Sequence, residues 1–269
     1  MKFSVIIKFA ILILFFIALI APFTFLKPEK KEKIVEVEEK KPVIVPEKPL
    51  HSVKLPDFSS ILDIPTKKKS FFGFIKPTVI EENQKIADDR RRVLFLLEKL
   101  SLDETLLDVE SEWLSAIAKK YRVSEKYSQF HQLNELVKRV DIIPTELVLV
   151  QAANESAWGT SRFSRIGLNY FGIWCYKKGC GMVPKGRNVG AKHEVAAFQS
   201  VQEAVEAYLI NINRNSAYST FRLIRHQLRQ NDQELSPEIL ATGLLPYSER
   251  GTDYVLELTQ MIRHNERYF

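Results

Sequence analysis

From Ile75 onward, apolar positions recur every three to four residues along most of the chain. Between Ile75 and Leu100 they are Val79, Ile86, Val93, Leu96, Leu97 and Leu100, with Arg90 to Arg92 opposite them, which predicts an amphipathic helix. Similar spacing predicts helices over 106–121 and 129–140. Pro144 suits the first turn of a helix, and Thr145 to Trp158 is apolar on nearly every side, so that segment is expected to be a buried helix stopped by Gly159. Between Leu168 and Phe198 the pattern breaks into Gly-rich, aromatic sequence with room for one short hairpin. Helical spacing returns over 201–213, 217–229 and 252–264. The expectation is a mainly helical α+β domain with a small β lobe at its middle.

Before Phe71 the pattern is different. Phe9 to Leu26 runs eighteen residues without a charge, the lower end of what crosses a bilayer as a helix. A cleaved signal peptide is the competing reading, but Leu19 stands where a second small residue is wanted and Pro22 follows Ala21 directly. Residues 1–26 are therefore read as an uncleaved anchor. From Lys27 to Leu50 the chain carries seven Lys, six Glu and four prolines, and cannot bury enough apolar surface to offset ordering entropy. With Pro56, Pro65 and Lys67 to Lys69 beyond, 27–70 reads as a disordered linker, and the folded domain as 71–269. Lysines at 27, 30, 31 and 33 flank the far end of the apolar run. Long domains translocate largely regardless of such charges, so an outward-facing domain is expected, with a membrane-tethered cytoplasmic domain as the alternative.

The net charge is +6, with 45% apolar and 27% charged residues, which excludes disorder of the whole chain. No basic stripe with interleaved aromatics appears, so nucleic acid is not an expected partner. The chemistry-bearing feature is Asn154-Glu155 inside the apolar helix. A carboxylate there is costly unless paired or neutralised. The negative end of the helix dipole and the neighbouring Trp158 both favour its protonated form, as a general acid near neutral pH requires. The competing reading is a Glu that reaches solvent or a basic partner at the helix end. Cys175 and Cys180 are the only cysteines. Their spacing allows a small disulfide loop outside the cytoplasm, or free thiols. A zinc pair would need two further ligands, and nearby His193 has no supporting spacing, so no metal or cofactor is expected.

The run LVLVQAANESAWGTSRFSRIGLNYFGIWCY, residues 147–176, resembles the catalytic-helix segment of the glucosaminidase family, peptidoglycan N-acetylglucosaminidases related to flagellar and autolytic wall hydrolases. The likeness rests on Gln151, Ala152, Glu155, Ser156, Trp158, Gly159, Ser161, Asn169, Phe171 and Gly172, and continues through 195–225 and 247–262. The resemblance implies a lysozyme-like domain with Glu155 as catalytic acid. It implies Glu194, in Ala191-Lys192-His193-Glu194-Val195, as the counterpart of a hairpin Glu that acts as base or supports the substrate's own N-acetyl group, with Asp253 a weaker substitute. Tyr247 and Tyr254 match a late paired-aromatic motif, with one extra residue between them. Tyr247 is expected to act in catalysis. Trp158, Asn169, Tyr170, Phe171, Trp174 and Tyr254 are expected around the substrate, with plain core packing the alternative for Trp158, Phe171 and Tyr254.

The implied activity is hydrolysis of β-1,4 bonds in peptidoglycan by an endo-β-N-acetylglucosaminidase, its expected partners the glycan strands and the membrane. The expected location is the cytoplasmic (inner) membrane, single-pass, with the catalytic domain in the periplasm or extracytoplasmic space. Lytic transglycosylase or muramidase action, endoglycosidase action on protein-linked glycans, and a non-catalytic wall-binding scaffold remain the alternatives.

Overall fold

The computed structural model describes residues 7–8, 11–16, 48–184, 187, 190 and 192–269. The chain divides into two units, Met1–Pro46 and Glu47–Phe269. In the first, residues 7–8 and 11–16 are helical, and no helix among the described residues is long and apolar enough to cross a membrane. The rest of the expected anchor, and the Lys/Glu/Pro linker as far as 47, lie outside the described residues.

In the second unit order begins earlier than the apolar spacing suggested. Leu50 N–H donates to Ile166 O at 2.8 Å, and Phe58 is buried edge-on against Phe71 with centroids 5.4 Å apart. Helix α1 then spans Ile64–Ser101. Its N-cap is Asp63, whose carboxylate accepts from Thr66 N at 2.9 Å, and Pro65 sits in the first turn, where no intrahelical N–H partner is lost. The proline and lysines read as spacer are thus a helix start, which corrects the 70/71 boundary.

Helices α2 (Asp108–Lys120) and α3 (Gln129–Arg139) follow, and α4 (Thr145–Glu155) runs through the core. Leu147 to Ala153 are all buried, and α4 packs against α1 and against two later helices, α8 (Pro237–Ala241) and α9 (Thr252–Asn265). Val148 and Val150 each cost about 0.5 kcal/mol in helix propensity. Burying each side chain returns about 1.5–3 kcal/mol, so packing decides the conformation.

The junction between α3 and α4 is held by charge. Asp141 is 2% exposed and accepts from Arg229 Nε and Nη2, both at 3.0 Å. Arg90 Nη1 lies 3.4 Å from its carboxylate. Arg225, wholly buried on helix α7 (Ser219–Gln230), donates to the carbonyls of Asp141 and Ile142 and to Asn213 Oδ1. Arg90, expected on a solvent face, instead turns inward and also donates to Val137 O and Val140 O. Burial alone would push the Asp141 carboxyl up, but Arg225, Arg229 and Arg90 outweigh it and hold it below the usual range.

After α4 come the short helix α5 (Arg162–Gly167), strands β1 (Trp174–Cys175), β2 (Gly181–Met182) and β3 (Glu194–Ala196), and helix α6 (Val201–Arg214). In place of one hairpin, β3 is central in a three-stranded antiparallel sheet, with Trp174 opposite Val195 and Gly181 opposite Ala196. Gly181 is required at that approach, because a Cβ there would lie 1.9 Å from Val195 O. Cys175 and Cys180 form a disulfide that closes the loop between the outer strands.

Candidate active site

Helix α4 ends at Glu155, three residues before the expected stop. Ser156 Oγ turns back onto Ala152 O at 2.6 Å and accepts from Gly159 N at 2.8 Å. Ala157, Trp158 and Gly159 then all take positive φ, at 50°, 58° and 76°. A Cβ on Gly159 would meet Phe58 at 2.5 Å, so this position needs glycine for space as well as conformation. The acid therefore projects from the last turn of a buried helix.

Glu155 opens onto a cleft of about 780 Å³, lined also by Phe171, Gly172, Trp174, Tyr176, Asn211, Tyr218, Tyr247 and Arg250. Burial pushes its carboxyl above the usual range; nearby Glu257 pushes the same way, while a hydrogen bond from Tyr254 and the charge of Arg250 oppose. Gly172 (φ +64°) lies against the carboxyl: a Cβ there would touch Oε2, at 3.6 Å, so the missing side chain is what keeps that edge open. The arrangement is a carboxyl of raised proton affinity with one open edge facing a groove.

Beneath it runs a directed hydrogen-bond chain. Tyr208 donates to Gln151 Oε1, and Gln151 Nε2 donates to the Tyr254 hydroxyl at 3.0 Å. That bond occupies the Tyr254 oxygen as acceptor and leaves its proton to turn toward Glu155, whose ionised form it favours. Tyr208, Gln151 and Tyr254 are all 1% exposed or less. Burial pushes the phenols of Tyr208, Tyr254 and Tyr247 well above their ordinary range, so all three stay protonated.

Most expected residues fall near Glu155, in roles that often differ from those anticipated. Tyr247 lines the cleft, but its hydroxyl donates to Phe171 O at 2.7 Å and its ring stacks on Tyr254, 5.6 Å between centroids. Phe171 is buried and stacks on Tyr208 at 4.3 Å. Tyr254 supports the acid from below and does not line the cleft. Asn169 is buried; its amide donates to Ile173 O and Ala196 O and accepts from Ile173 N, so it shapes the cleft loop from behind. Tyr170 is buried against Phe71 and Phe74. Trp174, 54% exposed, lines the cleft and stacks on His193 at 4.2 Å.

Three expectations are corrected. Glu194 does not line the cleft: its two carboxylate oxygens accept from Gly179 N and Gly181 N, each at 3.0 Å. Those backbone hydrogen bonds, Gly179 foremost, hold it below the usual range as a clamp on the disulfide loop. Trp158 points away from the cleft, packing on Phe71 and Phe72 and lining a separate cavity. Asp253, the weaker substitute, is exposed and is not among the cleft residues.

Sequence reasoning missed Tyr176, Asn211, Asn215, Tyr218, Glu249 and Arg250, all of which line the cleft. The polar Asn211 and Asn215, one helical turn apart at the end of α6, were a legible signal; Glu249 and Arg250 lie in a loop with no periodicity to place them.

The family model described as mannosyl-glycoprotein endo-beta-N-acetylglucosaminidase, Glucosaminidase, matches residues 130–267. Protein bax of Escherichia coli (strain K12) is 36% identical over 217 residues, which cover 80% of this chain and 76% of that protein. No solved structure matches.

Proposed function

This chain belongs to the glucosaminidase family, and from that premise we propose that it hydrolyses β-1,4 bonds of peptidoglycan as an endo-β-N-acetylglucosaminidase, cutting on the reducing side of N-acetylglucosamine. The observation that carries the reading is Glu155: a carboxyl of raised proton affinity at the end of a buried helix, open on one edge to a cleft of about 780 Å³. Protonated Glu155 delivers its proton to the leaving glycosidic oxygen. Because Glu194 is committed to the disulfide loop, attack on the anomeric carbon is assigned to the substrate's own acetamido oxygen, which displaces the protonated leaving oxygen. Water then opens the cyclic intermediate at the same carbon and returns a proton to the Glu155 carboxylate. Asn211 and Tyr218, which line the cleft together, are suited to hold that group. The exposed Glu249 is the other carboxylate of the lining, and would serve if a water attacks instead. Trp174 and Tyr176 offer exposed rings to the apolar faces of sugars.

An oxidising compartment is supported by the Cys175–Cys180 disulfide, and anchoring to the inner membrane by the charge-free run of residues 9–26. The proposed setting is therefore a periplasmic domain tethered near the wall.

The test is digestion of purified wall by the wild type and Glu155→Gln. Wild-type digests are expected to carry reducing N-acetylglucosamine ends, and the variant to lose about 10²–10⁴-fold in rate. Anhydro-muramic ends would make the enzyme a transglycosylase, and reducing muramic ends a muramidase. A wild type that binds wall without cutting it would refute catalysis.

A further inference from the structure

Trp158 belongs to a second cavity, of about 500 Å³, on the far side of the end of α4. Its polar lining is Lys68 from α1, Asn154 from α4, and Glu257, Gln260, His264 and Asn265 from α9. It adjoins the cleft. Asn154 is the chain neighbour of Glu155, and the two spaces share an ion pair: Arg250, lining the cleft, donates to Glu257, lining the second cavity, at 2.7 Å.

The chemistry of the second cavity differs from a sugar platform. Lys68 Nζ lies over the Trp158 ring, 5.5 Å from its centroid, and 5.8 Å from that of Tyr268. The ammonium thus covers an indole face on which a sugar ring would stack. None of the ion pairs among the described residues engages Lys68, while the carboxylate of the cavity, Glu257, is taken up by Arg250. What remains is one cation seated on aromatic rings, ringed by side-chain amides. The Oδ1 of buried Asn265 finds no hydrogen-bond donor among the described residues, while its Nδ2 donates to Met261 O at 2.7 Å. His264 Nδ1 is engaged by Gln260 O at 2.7 Å, which leaves Nε2 to the cavity. A cation amid amide donors and acceptors suits a carboxylate carried on a short peptide.

We propose that this cavity binds the peptide stem of the wall polymer, with Lys68 engaging a stem carboxylate, and so selects stem-bearing strands over naked glycan. The inference rests on the peptidoglycan reading of the cleft: a strand lying across Glu155 carries its stems to one side, and the Arg250–Glu257 pair is the ridge over which a stem passes. Lys68 and Tyr268 lie outside the family-matched residues 130–267.

The test compares kcat and KM on intact strands and on strands stripped of stems, for the wild type, Lys68→Gln and Gln260→Trp. Gln260 is exposed, so the larger side chain fills the cavity without disturbing the core. A charge-assisted contact is worth roughly a tenfold or greater change in binding. Wild-type KM is therefore expected to be about tenfold lower on intact strands. Both variants should erase that preference by raising KM on intact strands alone, with kcat on stripped strands unchanged. A preference that survives both substitutions, or a wild type with none, overturns the proposal. Binding of a free stem tripeptide, followed by titration, separates the two readings. If neither polymer is cut, the glycosidase reading fails, and Lys68-dependent binding of the tripeptide alone decides whether the cavity's assignment stands.

Discussion

Tyr254→Phe removes one oxygen atom and tests the directed chain under Glu155. The hydroxyl accepts from Gln151 Nε2 at 3.0 Å and turns its proton toward the carboxyl of Glu155. A hydrogen bond to a charged group is worth about 1.5–3 kcal/mol, and this one favours the ionised carboxylate. Its loss favours the protonated acid. At about 1.36 kcal/mol per pH unit, the alkaline limb of kcat/KM, which reports the free enzyme's acid, should move up by about one to two pH units. Losing the acceptor also strands the buried Gln151 Nε2, at about 1–3 kcal/mol of stability. For a domain of this size that is a fall of several degrees in melting temperature, at roughly 2–4 °C per kcal/mol. The assay is initial rate on solubilised strands across the pH range, with thermal melting in parallel. Tyr208→Phe should move the limb in the same direction: freed of Tyr208, the Gln151 amide can turn over, present its oxygen to Tyr254 and draw that proton away from Glu155. An alkaline limb that stays in place, or moves down, in Tyr254→Phe would refute the chain as the device that tunes the acid.

Three further outcomes follow from the charges. Glu155 has a raised proton affinity in the folded state, so its contribution to stability is fully present below the ordinary carboxylate range and is lost as pH rises through its folded value. Glu155→Gln should therefore melt higher than the wild type at neutral pH, and differential scanning calorimetry should show the gain vanish toward pH 4. Asp141 has the opposite sign: held below its usual range by three arginines, it stabilises above its unfolded value, and that stability is lost as pH falls. Asp141→Asn leaves Arg225 buried without its counter-charge and should cost about 3–5 kcal/mol in urea denaturation. Glu194→Gln should leave kcat on soluble strands within about twofold while hastening proteolysis of the 175–180 loop; a loss of turnover comparable to Glu155→Gln would return Glu194 to the chemistry.

The long helices and the catalytic helix were legible because their signals are local. Val79, Ile86, Val93 and Leu96 mark the buried face of α1, and seven consecutive buried residues mark α4. The start of α1 was hidden because Pro65 and the lysines carry the same composition in a spacer as in an exposed first turn. Arg90 was misplaced because spacing says nothing of the acid it meets, fifty-one residues later in sequence at Asp141. Glu155 stood out by its apolar surroundings, but its role as acid came from the family resemblance of residues 147–176. Glu194 was not legible: whether a strand carboxylate faces a cleft or a neighbouring loop depends on which backbone amides lie beside it, and Gly179 and Gly181 show no such intent in sequence. Tyr254 and Gln151 support the acid only because α9 folds back beside α4.

The left-handed run at Ala157, Trp158 and Gly159 has an evolutionary corollary. Left-handed backbone costs a non-glycine residue roughly 1–2 kcal/mol, so two of these positions are held there by their surroundings. The acid is thereby registered from the end of its helix, as a ruler is read from its stop, and one residue inserted within α4 would swing it about 100° around the axis. Lineages of this fold should tolerate length changes in the sequence between β2 and β3 far more readily than anywhere between Thr145 and Gly159.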